Sequence, residues 1–219
     1  MLVATDLRHA YARPDGTRVP VLDVPRLEVE AGGRLLVLGP SGSGKTTLLH
    51  VIAGLVRPDA GAVQLGATEL TALSEAERDR VRGQRVGIVF QRFHLVRWLT
   101  VAENVALARS LAGLPPEPAR VAETLGRLGL GHRLGARPPE LSTGERQRVA
   151  LARAVACGPD LVLADEPTAS LDDARTADVL ALLTDEAERA GAALVVATHD
   201  RRIADAFSAR LDLGAPVSA

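Results

Sequence analysis

At 219 residues, with 47% hydrophobic and 24% charged positions, the chain has the size and composition of one α/β core rather than of a disordered segment. A formal net charge of -1 and an aromatic content of 2% argue against a nucleic-acid partner, which would want a basic field and rings on which bases stack. The single cysteine, Cys157, excludes an intramolecular disulfide framework; it follows an Ala-rich helical pattern, reads as buried small-residue packing, and fits a reducing cytosol.

Residues 1–10 carry Asp6 and Arg8 where the apolar centre of a signal peptide would lie, and no apolar run approaches bilayer length. The chain is therefore expected to be soluble and to do any membrane work through a partner. Residues 2–30 read as antiparallel strands around the turn Arg13-Pro14-Asp15-Gly16. Arg34-Leu35-Leu36-Val37-Leu38 is a short apolar run ending at glycine, the pattern of a buried strand in a parallel sheet, with a helix expected from about 44 to 55. Pro58-Asp59-Ala60-Gly61 reads as a turn, Ser74-Glu75-Ala76-Glu77 as a capping box opening a charged helix, and residues 85–90 as another buried strand. Helical character fills 100–158, strands return at 160–164 and 192–198, and a polar-faced helix covers 173–190 between them.

Strands alternating with helices imply a mainly parallel sheet, and the helical stretch between the second and third core strands is too long for a simple crossover. The expected fold class is α/β: a core with a mainly parallel sheet, an N-terminal antiparallel β subdomain and an inserted α-helical subdomain. Residues 1–219 form one domain in this reading, with 1–91 and 159–219 as core and 92–158 as the helical insertion.

Gly39-Pro40-Ser41-Gly42-Ser43-Gly44-Lys45-Thr46 matches G-x-x-x-x-G-K-[ST] between a strand and a helix, where that motif belongs. Average residue frequencies give the pattern by chance in roughly one chain of this length in a hundred, before that context is demanded. Glycines let backbone N–H groups turn inward around phosphate oxygens, and the helix start adds about half a positive charge. Lys45 supplies a point charge for the β and γ phosphates, the Thr46 hydroxyl suits Mg²⁺, and Thr47 completes the nucleotide-binding set.

In Leu161-Val162-Leu163-Ala164-Asp165-Glu166 an apolar strand delivers two carboxylates at its C-terminal end, the sheet edge where ligands bind. Consecutive side chains on extended backbone diverge, so Asp165 is expected to face Mg²⁺ and Glu166 an attacking water as general base. A solvated acidic strand end is the blander alternative. Leu141-Ser142-Thr143-Gly144-Glu145 precedes a helical run, and in isolation Ser142 with Glu145 is a capping box.

With the phosphate loop far upstream and the carboxylate pair just downstream of that segment, the chain resembles the ATP-binding cassette (ABC) ATPases over nearly its whole length. The resemblance implies a P-loop NTPase core, ATP and Mg²⁺ as cofactors and a second ATPase subunit, in a homodimer whose signature segment, Ser142, Thr143, Gly144 and Glu145, completes the opposite subunit's nucleotide site. Thr143 stands where the family more often has glycine, and Glu145 is a frequent variant. Gln91 resembles the family glutamine that senses Mg²⁺ and the attacking water, His199 the histidine that contacts the γ phosphate, and Tyr11 the aromatic that stacks on adenine. Ser170-Leu171-Asp172 resembles the loop through which the two sites feel each other, while also reading as a helix N-cap.

Arg92-Phe93-His94-Leu95-Val96-Arg97-Trp98-Leu99 spends two of the chain's few aromatics just after Gln91, a region that in the family borders the groove for a membrane subunit. The segment 99–105, the short chain and the lack of a C-terminal regulatory domain resemble the branch serving lipoprotein release and macrolide export. An ABC transporter subunit on the cytoplasmic face of the inner or plasma membrane, held there by an integral membrane permease, is the expectation. A soluble ABC ATPase of DNA repair or translation would usually show a coiled-coil insertion, paired cassettes or a basic surface. Another P-loop phosphotransferase would need an acceptor site and would not require the signature segment or His199.

Overall fold

The computed structural model describes residues 1–169 and 171–214, so Ser170 of the segment Ser170-Leu171-Asp172 lies outside the described residues. Strands β1 (Leu2–Ala12) and β2 (Arg18–Val29) pair antiparallel across the turn at Gly16, as the sequence implies. A second antiparallel partner of β1 lies beyond the sequence reading: β4 (Ala60–Leu65), with the short β5 (Thr68–Glu69) beyond it, gives the order β2-β1-β4-β5. The Pro58-Asp59 turn therefore hands over to a strand at Ala60.

The second sheet is parallel throughout, in the order β6-β7-β8-β3-β9, built from β3 (Arg34–Leu38), β6 (Val86–Val89), β7 (Leu161–Asp165), β8 (Ala193–Thr198) and the edge strand β9 (Ala209–Asp212). Strand alternation splits its side chains between two cores. Leu36, Val162 and Val196 point into one, packed with α3 (Val101–Leu111), α4 (Pro118–Arg127), α5 (Thr143–Val155) and α6 (Asp173–Ala190). Leu35, Val37, Leu163 and Val195 point into the other, shared with α1 (Lys45–Ile52) and the antiparallel sheet. Emptying one such position, as in Leu36→Ala, costs about 2–5 kcal/mol in comparable cores.

Local signals set the helix starts. Ser74, Thr100 and Ser142 each close a complete capping box with a glutamate three residues on, opening α2 (Glu75–Arg85), α3 and α5. Helix α6 is capped by the Asp172 side chain and ended by Gly191 at φ 65°. Cys157 follows the helix as expected, just past α5, but is only half-buried rather than buried. Burial pushes its thiol pKa up, opposed by the charges of Arg109 and Arg120. Among the described residues, no helix is long and apolar enough to cross a membrane.

The register aligns the C-terminal ends of the central strands. Leu38 pairs with Thr198, Asp165 with Ala197 and Val89 with Ala164, so the segments leaving β3, β6, β7 and β8 all emerge on one edge.

Candidate nucleotide site

The loop leaving β3 folds around its own glycines. Gly42 and Gly44 sit at φ 81° and 92°, left-handed values that residues with a Cβ rarely adopt. A Cβ at Gly44 would also stand 2.6 Å from the carbonyl oxygen of Val21, and one at Gly39 would stand 2.4 Å from Ser43 Oγ. No side chain caps α1, so the positive end of that helix stands open beside the loop.

Lys45 is buried, and its ammonium group donates to the carbonyl oxygens of Gly39 (2.9 Å) and Pro40 (3.0 Å) and lies 3.4 Å from Glu166 Oε1. Thr46 donates its hydroxyl to Asp165 Oδ2 at 2.8 Å. The other oxygen of that carboxylate, Oδ1, is buried with no hydrogen-bond partner, and burial pushes the Asp165 pKa up against the opposing bond from Thr46. An orphaned carboxylate oxygen beside a hydroxyl is a donor set that fits a hard cation such as Mg²⁺.

Glu166 follows immediately but on different backbone. Extended geometry was expected for both carboxylates; instead β7 ends at Asp165 and Glu166 takes φ 48°, held by its N–H donating to the Ala197 carbonyl at 2.8 Å. A left-handed residue, rather than strand alternation, turns this side chain away from Asp165. Its Oε2 accepts from the Thr198 hydroxyl (2.8 Å) and the His199 N–H (3.3 Å), and lies 2.9 Å from His199 Nδ1. Burial pushes the Glu166 pKa up, but the bonds from His199 and Thr198 and the nearby Lys45 charge outweigh it, leaving the carboxyl below its ordinary value. An ionised, oriented carboxylate facing a phosphate-shaped cradle has the chemistry to take a proton from water.

A cavity of about 440 Å³ joins these parts, lined by Val21, Pro40, Ser41, Gly42, Gly44, Lys45, Thr46, Thr47, Gln91, Glu166 and His199. The chain therefore brings together the phosphate loop and three residues from separate strand ends. Gly39 and Ser43 stand behind that surface, supporting the loop. Tyr11 does not line the cavity: it is exposed on β1, 4.7 Å edge-on from the His9 ring, with its hydroxyl 3.5 Å from Thr47 Oγ1.

The signature residues are elsewhere. Ser142, Thr143 and Gly144 are exposed at the start of α5, and none of the four lines the phosphate cavity. Thr143 instead borders an adjoining cavity of about 430 Å³ that shares Gln91 and Glu166 with the first.

Two contributors escaped the sequence reading. Thr198 fixes the Glu166 carboxylate, and its only sequence signal is its place beside His199 at a strand end. Asn104, fully buried on α3, donates to the carbonyls of Val96, Leu99 and Thr100 and accepts from the Val96 N–H, pinning the segment after Gln91.

Comparison with known proteins agrees with this geometry. A family model described as ABC transporter matches residues 22–169. The lipoprotein-releasing system ATP-binding protein LolD of Legionella pneumophila (strain Paris) is 43% identical over 194 residues, covering 87% of this chain and 86% of that protein. LolD of Nitrobacter hamburgensis is 41% identical over 95% of this chain and 90% of its own length. Among solved structures, the dimeric post-hydrolysis state of the ATP-binding cassette MJ0796 bound to ADP and Pi superposes with a TM-score of 0.88 at 32% identity, covering 97% of this chain and 94% of that one.

Proposed function

The chain belongs to the ABC transporter family, and from that premise we propose that it works as one half of a paired ATPase, each site using the phosphate loop of one copy and the α5 start of the other. It is the ATP-binding and ATP-hydrolysing subunit of an ABC transporter complex. The observation that carries the pairing is a division of parts: the phosphate cradle, Glu166 and His199 share one cavity, while Ser142, Thr143 and Gly144 stand exposed outside it. A Cβ at Gly144 would meet nothing within 4 Å among the described residues, its own helix backbone aside, so packing within the chain makes no demand for glycine there, which supports a close approach by a second molecule.

In this reading the loop N–H groups and Lys45 hold the β and γ phosphates, Lys45 exchanging its loop carbonyls for phosphate oxygens. Thr46, Asp165 and Gln91 hold Mg²⁺, which neutralises phosphate charge when bound. Glu166 accepts a proton from the water that attacks the γ phosphorus, and His199 orients Glu166 and contacts the γ phosphate. Tyr11 stacks on adenine from beside Thr47. The start of α5 from the second copy closes over the phosphate, its N–H groups adding positive potential.

The division into a core of residues 1–91 and 159–219 and a helical subdomain of 92–158 belongs to the same proposal. So does the permease partner. Trp98 is 76% exposed, and its sequence neighbour Arg97 lines, with Phe93, His94, Leu95, Pro138, Pro139 and Arg146, a groove of about 290 Å³. An aromatic left in water, next in sequence to a groove-lining residue, favours a docked partner. We place this partner in the inner or plasma membrane, the ATPase on its cytoplasmic face, and the cargo, by likeness to the LolD proteins, among lipoproteins. Co-purification from membranes tests this: integral membrane subunits should copurify and lipoprotein should stimulate ATP hydrolysis, whereas a complex with soluble proteins alone would refute it.

A further inference from the structure

The first turn of α5 carries a carboxylate where one is electrostatically awkward. Glu145 is the only acidic residue of that turn, and a helix start that meets phosphate gains from bare N–H groups and loses from negative charge. The Glu145 carboxylate, however, is not free. Its Oε2 accepts from the Ser142 N–H at 2.8 Å, and its Oε1 accepts from Arg133 Nε at 2.9 Å. The bonds from Ser142 and Arg133 hold its carboxyl down to about 2.

Arg133 is fixed independently of this contact. It ends the 3-10 turn Gly131–Arg133, with its N–H on the Leu130 carbonyl and its own carbonyl on the Ala136 N–H. The carbonyls of Leu134 and Ala136 then accept from the Ala102 and Val101 N–H groups, nailing the segment onto the start of α3. The guanidinium thus meets Glu145 from a braced position. An ion pair with 40% and 17% exposure contributes little to folding, which directs attention to what its charge does outside the chain.

Resting on the reading that this helix start faces ATP held by a second copy, we propose that Arg133 is a positioning residue of the paired site: it folds Glu145 back onto the capping box and cancels its charge. The helix start then offers N–H groups, rather than an uncompensated carboxylate, to the opposing phosphate.

The test is ATP-driven dimerisation followed by analytical ultracentrifugation, in a Glu166→Gln background that slows hydrolysis. Arg133→Gln should raise the ATP concentration for half-dimerisation about tenfold, the size of effect a unit charge exerts on phosphate across a partly screened interface. Glu145→Gln, which keeps a capping-box side chain but leaves the Arg133 charge unopposed, should lower it rather than raise it. The double variant should return to within about threefold of the parent, because there is no longer a charge to cancel. An Arg133→Gln chain that dimerises like the parent, or a double variant as impaired as Arg133→Gln alone, overturns the proposal. Ser142→Arg separates the two layers: its normal dimerisation removes the opposed-chain reading and this inference together, whereas its failure beside an unaffected Arg133→Gln overturns this inference alone.

Discussion

The hydroxyl of Thr46 donates to Oδ2 of Asp165 at 2.8 Å and leaves Oδ1 of the same buried carboxylate without a partner. One hydrogen bond thus joins the first turn of α1 to the end of β7 and orients an oxygen that nothing else among the described residues satisfies. Thr46→Val keeps the shape and removes the hydroxyl. It should raise the Mg²⁺ concentration for half-maximal ATPase activity about tenfold or more, while loss of a bond to a buried carboxylate lowers stability by about 1–3 kcal/mol. Magnesium titration of turnover checks the first effect and denaturant unfolding the second; an unchanged Mg²⁺ requirement would count against the cation assignment.

Glu166→Gln removes the base and keeps a side chain able to accept from Thr198 and His199. ATP binding should persist while hydrolysis slows by about 10²–10⁴-fold. Single-turnover measurement with saturating ATP reads the chemical step directly, and wild-type turnover would exclude Glu166 as the base.

Glu145 makes a prediction in acid. Its pKa falls from an ordinary 4.5 to about 2, through bonds from Ser142 first and then Arg133. A depressed carboxyl contributes stability that is fully present above the unfolded value and is lost as pH falls toward the folded one. Wild-type stability should therefore fall more steeply than that of Glu145→Gln between pH 4.5 and about 2. Glu166, also depressed, adds the same trend, and Asp165, raised by burial, adds the opposite one, but both are common to the two proteins. Parallel pH curves in denaturant unfolding would remove the claim.

Much of the site was legible because its chemistry is local in sequence. The cradle needs its glycines close together, and an apolar strand such as β7 announces the carboxylates at its end. What was not legible depends on pairing or on backbone detail. β4 begins Ala-Gly and carries Gln64, and it is a strand because β1 and β5 flank it. β9, with sequence Ala-Arg-Leu-Asp, is an exposed edge that exists through its parallel register with β3. No periodicity signals that Glu166 leaves the strand at φ 48°, or that Thr198 anchors it. The capping box at Ser142 was visible, whereas the Arg133 contact to Glu145 spans a turn whose position α3 decides.

The claim that each nucleotide lies between two copies is tested most directly by mixing two inactive chains, Ser142→Arg and Lys45→Ala. A mixed dimer contains one site with both lesions and one with neither, so ATPase activity absent from each variant alone should reappear on mixing, toward half the wild-type value per mixed dimer. Confirmed mixed dimers that stay inactive would contradict the shared site.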